Sequence, residues 1–417
     1  FLINPQQTQA VTYIVQRLSS MAALFYLTAL ISYSYARLHQ KPALFLVTLV
    51  FAGLAFFTKQ NTATLPLAIV LIEVTFFQPP GKIQWKKLLL IALPVLAVFG
   101  FAAFYFFDLP LEKLDAITRT SHTEYLTRGQ YFATQSLVVW HYIRQFFFPL
   151  DLHLDYDFPI QQSLISVKVF IALAGHIGIL LFAYIIRKKQ PVVFFAISFY
   201  YLAHLVESSV IPITDVVFEH RTYLPNMGMS MLVAMGFYLL VQQQNLKKIA
   251  LVLLVLLILW FSYLTIARNA VWTDQIKFYQ NETKYSPNKE RVWADLGKYY
   301  LKDKQYAEAL KSFGTALNLG KEGNTLNALP TTLLNTYFAL LYTNQLDKAA
   351  YFETLIPLDL LSRHDKAVFY YMQGNRYGKI GETSEAQKSY QQALIINPAY
   401  LDAKANLAAT YMAVSYT

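Results

Sequence analysis

Between Ser19 and Trp272 the chain is a succession of long apolar runs separated by short basic clusters, a pattern that calls for helices in lipid. A span needs about 20 mostly apolar residues. Eight segments come close enough: Ser19–Ala36, Ala43–Thr58, Ala63–Phe77, Leu88–Phe107, Val167–Ile186, Val192–Val210, Met227–Val241 and Ile249–Ile266. After Asn281 the apolar runs stop, and Lys, Glu, Asn and Gln become frequent. That shift is masked in the averages, 55% hydrophobic and 14% charged, against roughly a quarter charged in a soluble domain. The expected fold is all-α: a polytopic membrane helix bundle, then a helical-repeat tail. We expect a transmembrane domain over 1–272 and a repeat domain over 273–417.

The basic clusters orient the bundle. Arg37/Lys41, Lys82/Lys86/Lys87, Arg187/Lys188/Lys189 and Lys247/Lys248 all fall on one side when the eight spans alternate, and the positive-inside rule makes that side cytoplasmic. The opposite, outer side then receives Asn4–Arg17, the turn Thr58–Leu65, the loop 108–166, Glu207–Pro225 and the tail. This holds only if Tyr131–Phe148, a ninth apolar helix inside the loop, does not cross. Two readings stand for it: an amphipathic helix on the outer surface or in a cavity, or a span that would put Arg187–Lys189 outside. The net charge of +10 is explained by topology-setting clusters, so no nucleic-acid partner is expected. With no cysteine, disulfides and thiolate metal sites are excluded.

The tail carries a repeat. Trp293, Leu296, Gly297, Tyr300, Ala309, Phe313 and Ala316 match the tetratricopeptide pattern over 34 residues. Tyr370, Gly374, Tyr377, Gly381, Ala386, Tyr390, Ala393 and Pro398 repeat it, and Leu407, Ala408 and Tyr411 begin another unit. A degenerate unit lies around Thr331–Ile356. Units are therefore expected near 290–322, 330–358 and 367–400, with a partial one at 401–417. Small residues let two helices of a hairpin approach, and aromatics fill the gaps between hairpins. Such arrays bind proteins.

Ionisable residues close to membrane depth are the functional candidates. The densest group runs from Glu207 to Pro225 and holds Glu207, Asp215, Glu219, His220 and Arg221, with Tyr223 beside them. Arg offers a planar fork of donors and His a further one, which suits a phosphate. The alternative is an ion-paired loop in which Glu219 or Asp215 neutralises Arg221. Lys59, with Gln60 and Asn61, sits at an outer turn and either snorkels to headgroups or neutralises a lipid phosphate. Asp151, His153, Asp155, Tyr156 and Asp157 alternate in a way that hints at a metal, but no second half-site accompanies them; a hydrogen-bonded loop is the expectation. Asn4–Gln9, leading to Arg17, precedes the first span and could simply cap it. Glu73 and His176 are read as packed between helices. No nucleophile elbow, phosphate-binding Gly loop or dinucleotide motif is present.

Three of these segments resemble one family, the transmembrane and tetratricopeptide-repeat O-mannosyltransferase-like proteins. Asn4-Pro5-Gln6-Gln7-Thr8-Gln9-Ala10-Val11 is similar to the family's His-Pro-x-x-Thr-Glu-Ala-Val segment. Thr58-Lys59-Gln60-Asn61-Thr62-Ala63-Thr64-Leu65-Pro66 resembles its Ser/Thr-Lys-Glu-Asn-x-x-x-Leu-Pro turn. Phe218-Glu219-His220-Arg221-Thr222-Tyr223-Leu224-Pro225 resembles its Phe-Glu-His-Arg-x-Tyr-Leu-Pro signature. The resemblance implies a membrane glycosyltransferase of the C-type fold, a bacterial relative lacking its N-terminal part. It would take a sugar from a polyprenyl-phosphate donor outside and give it to a protein acceptor. Arg221, His220 and Lys59 would hold the donor phosphate, supported by Glu207, Asp215, Glu219, Tyr223, Arg17 and Gln60. The base implied by the family is an Asp in a loop upstream of Phe1. Gln9, Gln60 and Asn4 stand where the family has Glu, Glu and His. No metal or cofactor is expected beyond the lipid-linked donor; the partners are membrane lipid and an acceptor protein. The implied location is a bacterial inner membrane with the repeats in the periplasm. The rival reading is a non-catalytic, membrane-anchored scaffold in a larger complex.

Overall fold

The computed structural model describes residues 1–78, 84, 86, 89, 93–94, 96–97, 126–210, 212–213, 215–323 and 329–415. The expected span Leu88–Phe107 lies almost wholly outside the described residues, as does the beginning of the loop at 108–125. Every regular element described is helical. Contacts divide the chain into two compact units, Phe1–Trp272 and Thr273–Thr417.

The first unit contains α1 (Thr8–Thr12), α2 (Arg17–His39), α3 (Ala43–Thr58), α4 (Leu65–Ile72), α5 (Arg128–Phe147), α6 (Val167–Ile186), α7 (Pro191–His204), α8 (Asn226–Gln242) and α9 (Lys247–Val271). Local chemistry sets their ends. Thr127 and Gln130 form a capping box at the start of α5, and the Ser166 hydroxyl accepts from Val169 N at the start of α6. Pro191 opens α7, where a missing N–H costs nothing. Gln40, at φ 53°, closes α2 in the left-handed conformation.

Among the described residues, four helical stretches are long and apolar enough to cross a membrane: Ile14–His39, Gln60–Phe77, Val167–Ile186 and Lys247–Val271; Ala43–Thr58, Pro191–His204 and Asn226–Gln242 are apolar but shorter. Seven of the eight expected spans thus coincide with helices. The sixth was drawn too long: α7 ends at His204, and Val210 lies in the polar turn beyond it. Leu251, Val252, Leu253, Val255, Leu256 and Leu259 all face outward on α9, where only Ala250, Phe261 and Arg268 are buried. An apolar surface of that kind needs lipid. The chain is an integral membrane protein.

The bundle core joins α2, α3, α4 and α7 through Ala23, Ala29, Ala52, Ala55 and Ala68, with Tyr26, Ile69 and Phe199 filling between them. Small residues let apolar helices approach closely where lipid provides no hydrophobic drive. Toward one end, Glu73 is fully buried and paired with Arg37; Arg37 Nη2 donates to Glu73 Oε2 at 3.2 Å and Tyr33 OH donates to Oε1 at 2.5 Å. Arg37 belongs to the first basic cluster, so this is an end of the bundle marked by such a cluster. His176 is likewise satisfied, bonded to Tyr201 OH at 2.9 Å and to Ser136 O at 2.8 Å and stacked on Trp140.

The second unit is a row of helical hairpins. α10 (Gln275–Tyr285) leads into α11 (Glu290–Lys302) with α12 (Tyr306–Gly323), α13 (Leu329–Tyr342) with α14 (Leu346–Leu355), and α15 (Arg363–Lys379) with α16 (Thr383–Ile396); α17 (Leu401–Ser415) starts another. A Cβ on Gly297 would meet the Phe313 ring at 2.5 Å, and one on Gly374 would meet the Tyr390 ring at 2.5 Å. Glycine is required there because an aromatic occupies the space. The hairpin turns repeat as well: Lys304, Asn344 and Gly381 all have positive φ, at 62°, 57° and 84°. Glu353 accepts from Tyr337 OH at 3.0 Å within its own hairpin, and from Arg376 Nε at 2.7 Å and Gln373 Nε2 at 2.7 Å of the next.

Candidate functional site

Four separate stretches meet at the end of the bundle opposite Glu73. The N-terminal 3-10 turn Pro5–Gln7 is pinned by Asn4 Nδ2, which donates to Phe146 O at 3.0 Å, and by Asn226 Nδ2, which donates to Gln6 Oε1 at 2.8 Å. Gln9 Oε1 accepts from the His220 backbone N–H at 2.7 Å, tying that turn to a second 3-10 turn, Glu219–Thr222. A third 3-10 turn, Gln60–Thr64, joins through Asn61 Nδ2, which donates to Glu207 Oε2 at 3.2 Å. Lys59 Nζ lies 2.9 Å from Glu207 Oε1 and donates to Ser19 Oγ at 2.9 Å.

The fourth stretch is α5, and its placement decides between the two readings of Tyr131–Phe148. Near its N-terminus, Tyr131 OH donates to Glu207 O at 2.7 Å; near its C-terminus, Phe146 O receives Asn4. A helix of 20 residues is about 30 Å long, so a crossing helix would place those ends on opposite faces. Both ends instead touch segments from the same end of the bundle. The helix is a buried floor with Tyr131, Ala133, Val138 and Tyr142 fully covered. Tyr142 OH receives Phe218 N at 2.9 Å and Gln135 Nε2 donates to Val216 O at 2.8 Å, so α5 shapes the stretch leading to Glu219.

Glu219 does not neutralise Arg221. Its carboxylate pairs with Arg268 at 3.3 Å and accepts from Tyr156 OH at 2.7 Å, while Tyr156 OH receives Gln145 Nε2 at 2.6 Å. Arg268 also donates to Leu152 O. Burial pushes the Glu219 carboxyl above its usual range, and Arg268 and Tyr156 pull it back. Burial, with the Glu219 charge beside it, raises Tyr156 far above the ordinary phenol, which keeps its proton on the oxygen. Glu207 is taken by Lys59 and Asn61.

Arg221 is left over. It is 4% exposed, its Nη1 has no hydrogen-bond partner, and it forms no ion pair among the described residues. Its guanidinium lies 5.4 Å from the Phe218 ring centroid, with Tyr131 near enough to feel its charge. Beside it His220 is buried with Nδ1 unpartnered; burial, then the Lys59 and Arg221 charges, push its pKa down to about 2. A buried cation with a vacant donor, next to a neutral imidazole and a lysine, has the chemistry that an anion would satisfy.

The remaining expected residues are placed unevenly. Tyr223 is half-buried against Phe1, and Asp215 is half-buried in the turn before Phe218. Gln60 and Arg17 are exposed; Arg17 Nε donates to Val11 O at 3.0 Å. Asn61, one position from Gln60, is the side chain that the turn sends inward. Asp151 pairs with Arg144 at 3.2 Å, and His153 lies against Tyr156. Sequence reasoning missed Arg268, Tyr131, His204 and Ser19. Only Arg268 carried a readable signal, an arginine in the last turn of an apolar helix.

Fold and site together define a polytopic membrane protein, helical throughout the described residues, with buried cationic side chains at one end of its bundle and a tetratricopeptide tail. Residues 361–400 match the tetratricopeptide repeat family. The chain is also similar to Protein O-mannosyl-transferase TMTC3 of Homo sapiens, 22% identical over 381 residues that cover 78% of this chain and 40% of the relative. The protein of the same name from Mus musculus is 23% identical over 381 residues, with the same coverage. The chain therefore spans about 40% of the length of the curated relatives it matches, and it is a distant relative of these O-mannosyltransferase-like proteins.

Proposed function

We propose that this chain is part of a membrane glycosyltransferase that takes a sugar from a polyprenyl-phosphate donor and passes it to a protein hydroxyl. The observation that carries the reading is Arg221, buried, without an ion-pair partner among the described residues, and with Nη1 vacant. An uncompensated buried charge is costly, so a site that keeps one is built for an anion that arrives with the ligand. A phosphate on a lipid fits the lipid-facing helices around it.

In the reaction, the acceptor hydroxyl oxygen bonds to the anomeric carbon as the bond from that carbon to the phosphate oxygen breaks. The hydroxyl proton passes to a carboxylate base, and polyprenyl phosphate departs. Arg221, His220 and Lys59 stabilise the charge that grows on the leaving phosphate. Glu207 and Glu219 are held in ion pairs, which suits them to positioning Lys59 and the Glu219–Thr222 turn rather than to taking the proton. A monophosphate matched by three such donors needs no metal or cofactor. The charge rule puts this end of the bundle on the non-cytoplasmic side, the periplasm in a bacterial inner membrane, where the donor and an acceptor held by the repeats would be used.

The test is sugar transfer from a polyprenyl-phosphate donor by the full-length protein and its Arg221→Ala variant. Transfer that survives Arg221→Ala at the wild-type rate overturns the role given to Arg221. Absence of transfer in the wild type, with the repeats still capturing a protein partner, favours a membrane-anchored scaffold.

A further inference from the structure

His204 ends α7 and is 3% exposed, yet neither ring nitrogen has a hydrogen-bond partner. Its ring is firmly held. Tyr142 stacks on it with centroids 5.5 Å apart and planes 7° apart, and Tyr200 meets it edge-on at 4.7 Å. Tyr142 connects it to the anion site: Tyr142 OH donates to Phe218 O at 3.1 Å, and the Phe218 ring lies under Arg221. Four residues on, Ser208 Oγ is also without a partner, and the Ser208 backbone N–H returns to His204 O at 2.8 Å. Gln9, whose Oε1 takes the His220 N–H, leaves its Nε2 vacant as well. An imidazole that is fixed by aromatics while both nitrogens stay vacant is poor core design, because each buried unpaired polar atom is costly.

A neutral imidazole has one N–H and one lone pair, so the ligand that completes it must both accept and donate. The ionised phosphate monoester of the bare lipid accepts only. A sugar phosphate does both, through the phosphate oxygens and the hydroxyls next to them. We propose that His204 contacts a hydroxyl of the transferred sugar, with Ser208 beside it, and so makes the site prefer a sugar-bearing lipid phosphate over the bare lipid. The inference rests on the donor-phosphate reading of Arg221.

The experiment measures binding of polyprenyl phosphate, polyprenyl-phosphate mannose and polyprenyl-phosphate glucose to the full-length protein in lipid nanodiscs. The wild type is expected to bind one sugar-bearing lipid more tightly than the bare one. His204→Phe, which keeps the stacked ring and removes both nitrogens, is expected to bind bare polyprenyl phosphate as before and to lose the sugar preference by about tenfold to a hundredfold. His204→Gln restores a donor and an acceptor and should recover part of it, which also covers the case of a His204→Phe chain that fails to fold. A wild type without sugar preference, or a preference unchanged in His204→Phe, overturns the proposal. So does loss of both kinds of lipid in His204→Phe at unchanged thermal stability, because His204 would then be serving the phosphate. If the wild type binds none of the three lipids, the phosphate reading falls, and this one with it.

Discussion

Two buried arginines, one in each unit, show how differently the halves of this chain treat charge. Arg376 in the repeats is paired with Glu353 through Nε and Nη2, and Tyr337 and Gln373 bond to the same carboxylate. Arg221 in the membrane half has an aromatic ring under it, a tyrosine beside it, and a vacant Nη1. The first is a joint between hairpins. The second is an unfinished constellation, which in the proposed function an incoming anion finishes. Burial alone would not have told them apart, since both are below a tenth exposed.

The contrast is testable by removing each in turn. Arg221→Ala should lower sugar transfer by about a hundredfold to a thousandfold, the scale seen when one donor to a developing charge is removed. Thermal unfolding of the same variant should show no loss of stability; a clear loss would mean that Arg221 is as structural as Arg376. Arg376→Ala should do the reverse and destabilise the repeats by about 3 kcal/mol, since it strands Glu353 among buried neighbours. Chemical denaturation followed by circular dichroism reads this directly.

Acid should separate the halves more gently. The folded His220 has its pKa pushed down to about 2, so only the unfolded chain takes up a proton as the pH drops below about 6.5. Stability from this group is therefore complete above that pH and is lost on acidification, by at most about 2 kcal/mol between pH 6.5 and 5. His153, pushed down to about 4 chiefly by burial, acts in the same direction. Hydrogen exchange should show the segment around Glu219–Thr222 loosening at pH 5 before the repeats do. Within the repeats, Gly297→Ala should destabilise by about 1–2 kcal/mol, because the new methyl meets Phe313. Gly314→Ala, with nothing within 4 Å of the new methyl, should stabilise by up to about 1 kcal/mol through helix propensity. Melting curves that moved the same way for both would undo the packing account.

The fold was largely legible because its two signals are periodic. Apolar length marks a span wherever it occurs, and Gly297 with Phe313, like Gly374 with Tyr390, is a spacing that sequence displays openly. The site was legible as segments but not as pairings. Lys59, Glu207 and the Glu219–Arg221 stretch could be named, yet nothing in the order of residues says that Glu219 would choose Arg268, 49 positions away, over its neighbour Arg221. That choice is made by α5 and Tyr156, which exist as a scaffold only after folding. The exposed Gln60 and the inward Asn61 differ by one position, and a 3-10 turn decides between them. His204 gave no warning at all, because a lone histidine at the end of an apolar run is ordinary until its empty nitrogens are seen.

The vacancy at Arg221 also bears on inheritance. Replacing Arg376 harms the fold in every lineage, whether or not the protein is used. On the proposed reading, replacing Arg221 costs the handling of the anion and relieves a buried charge. In a descendant that no longer met its ligand, Arg221 would be among the first residues to drift, while the repeats kept their shape.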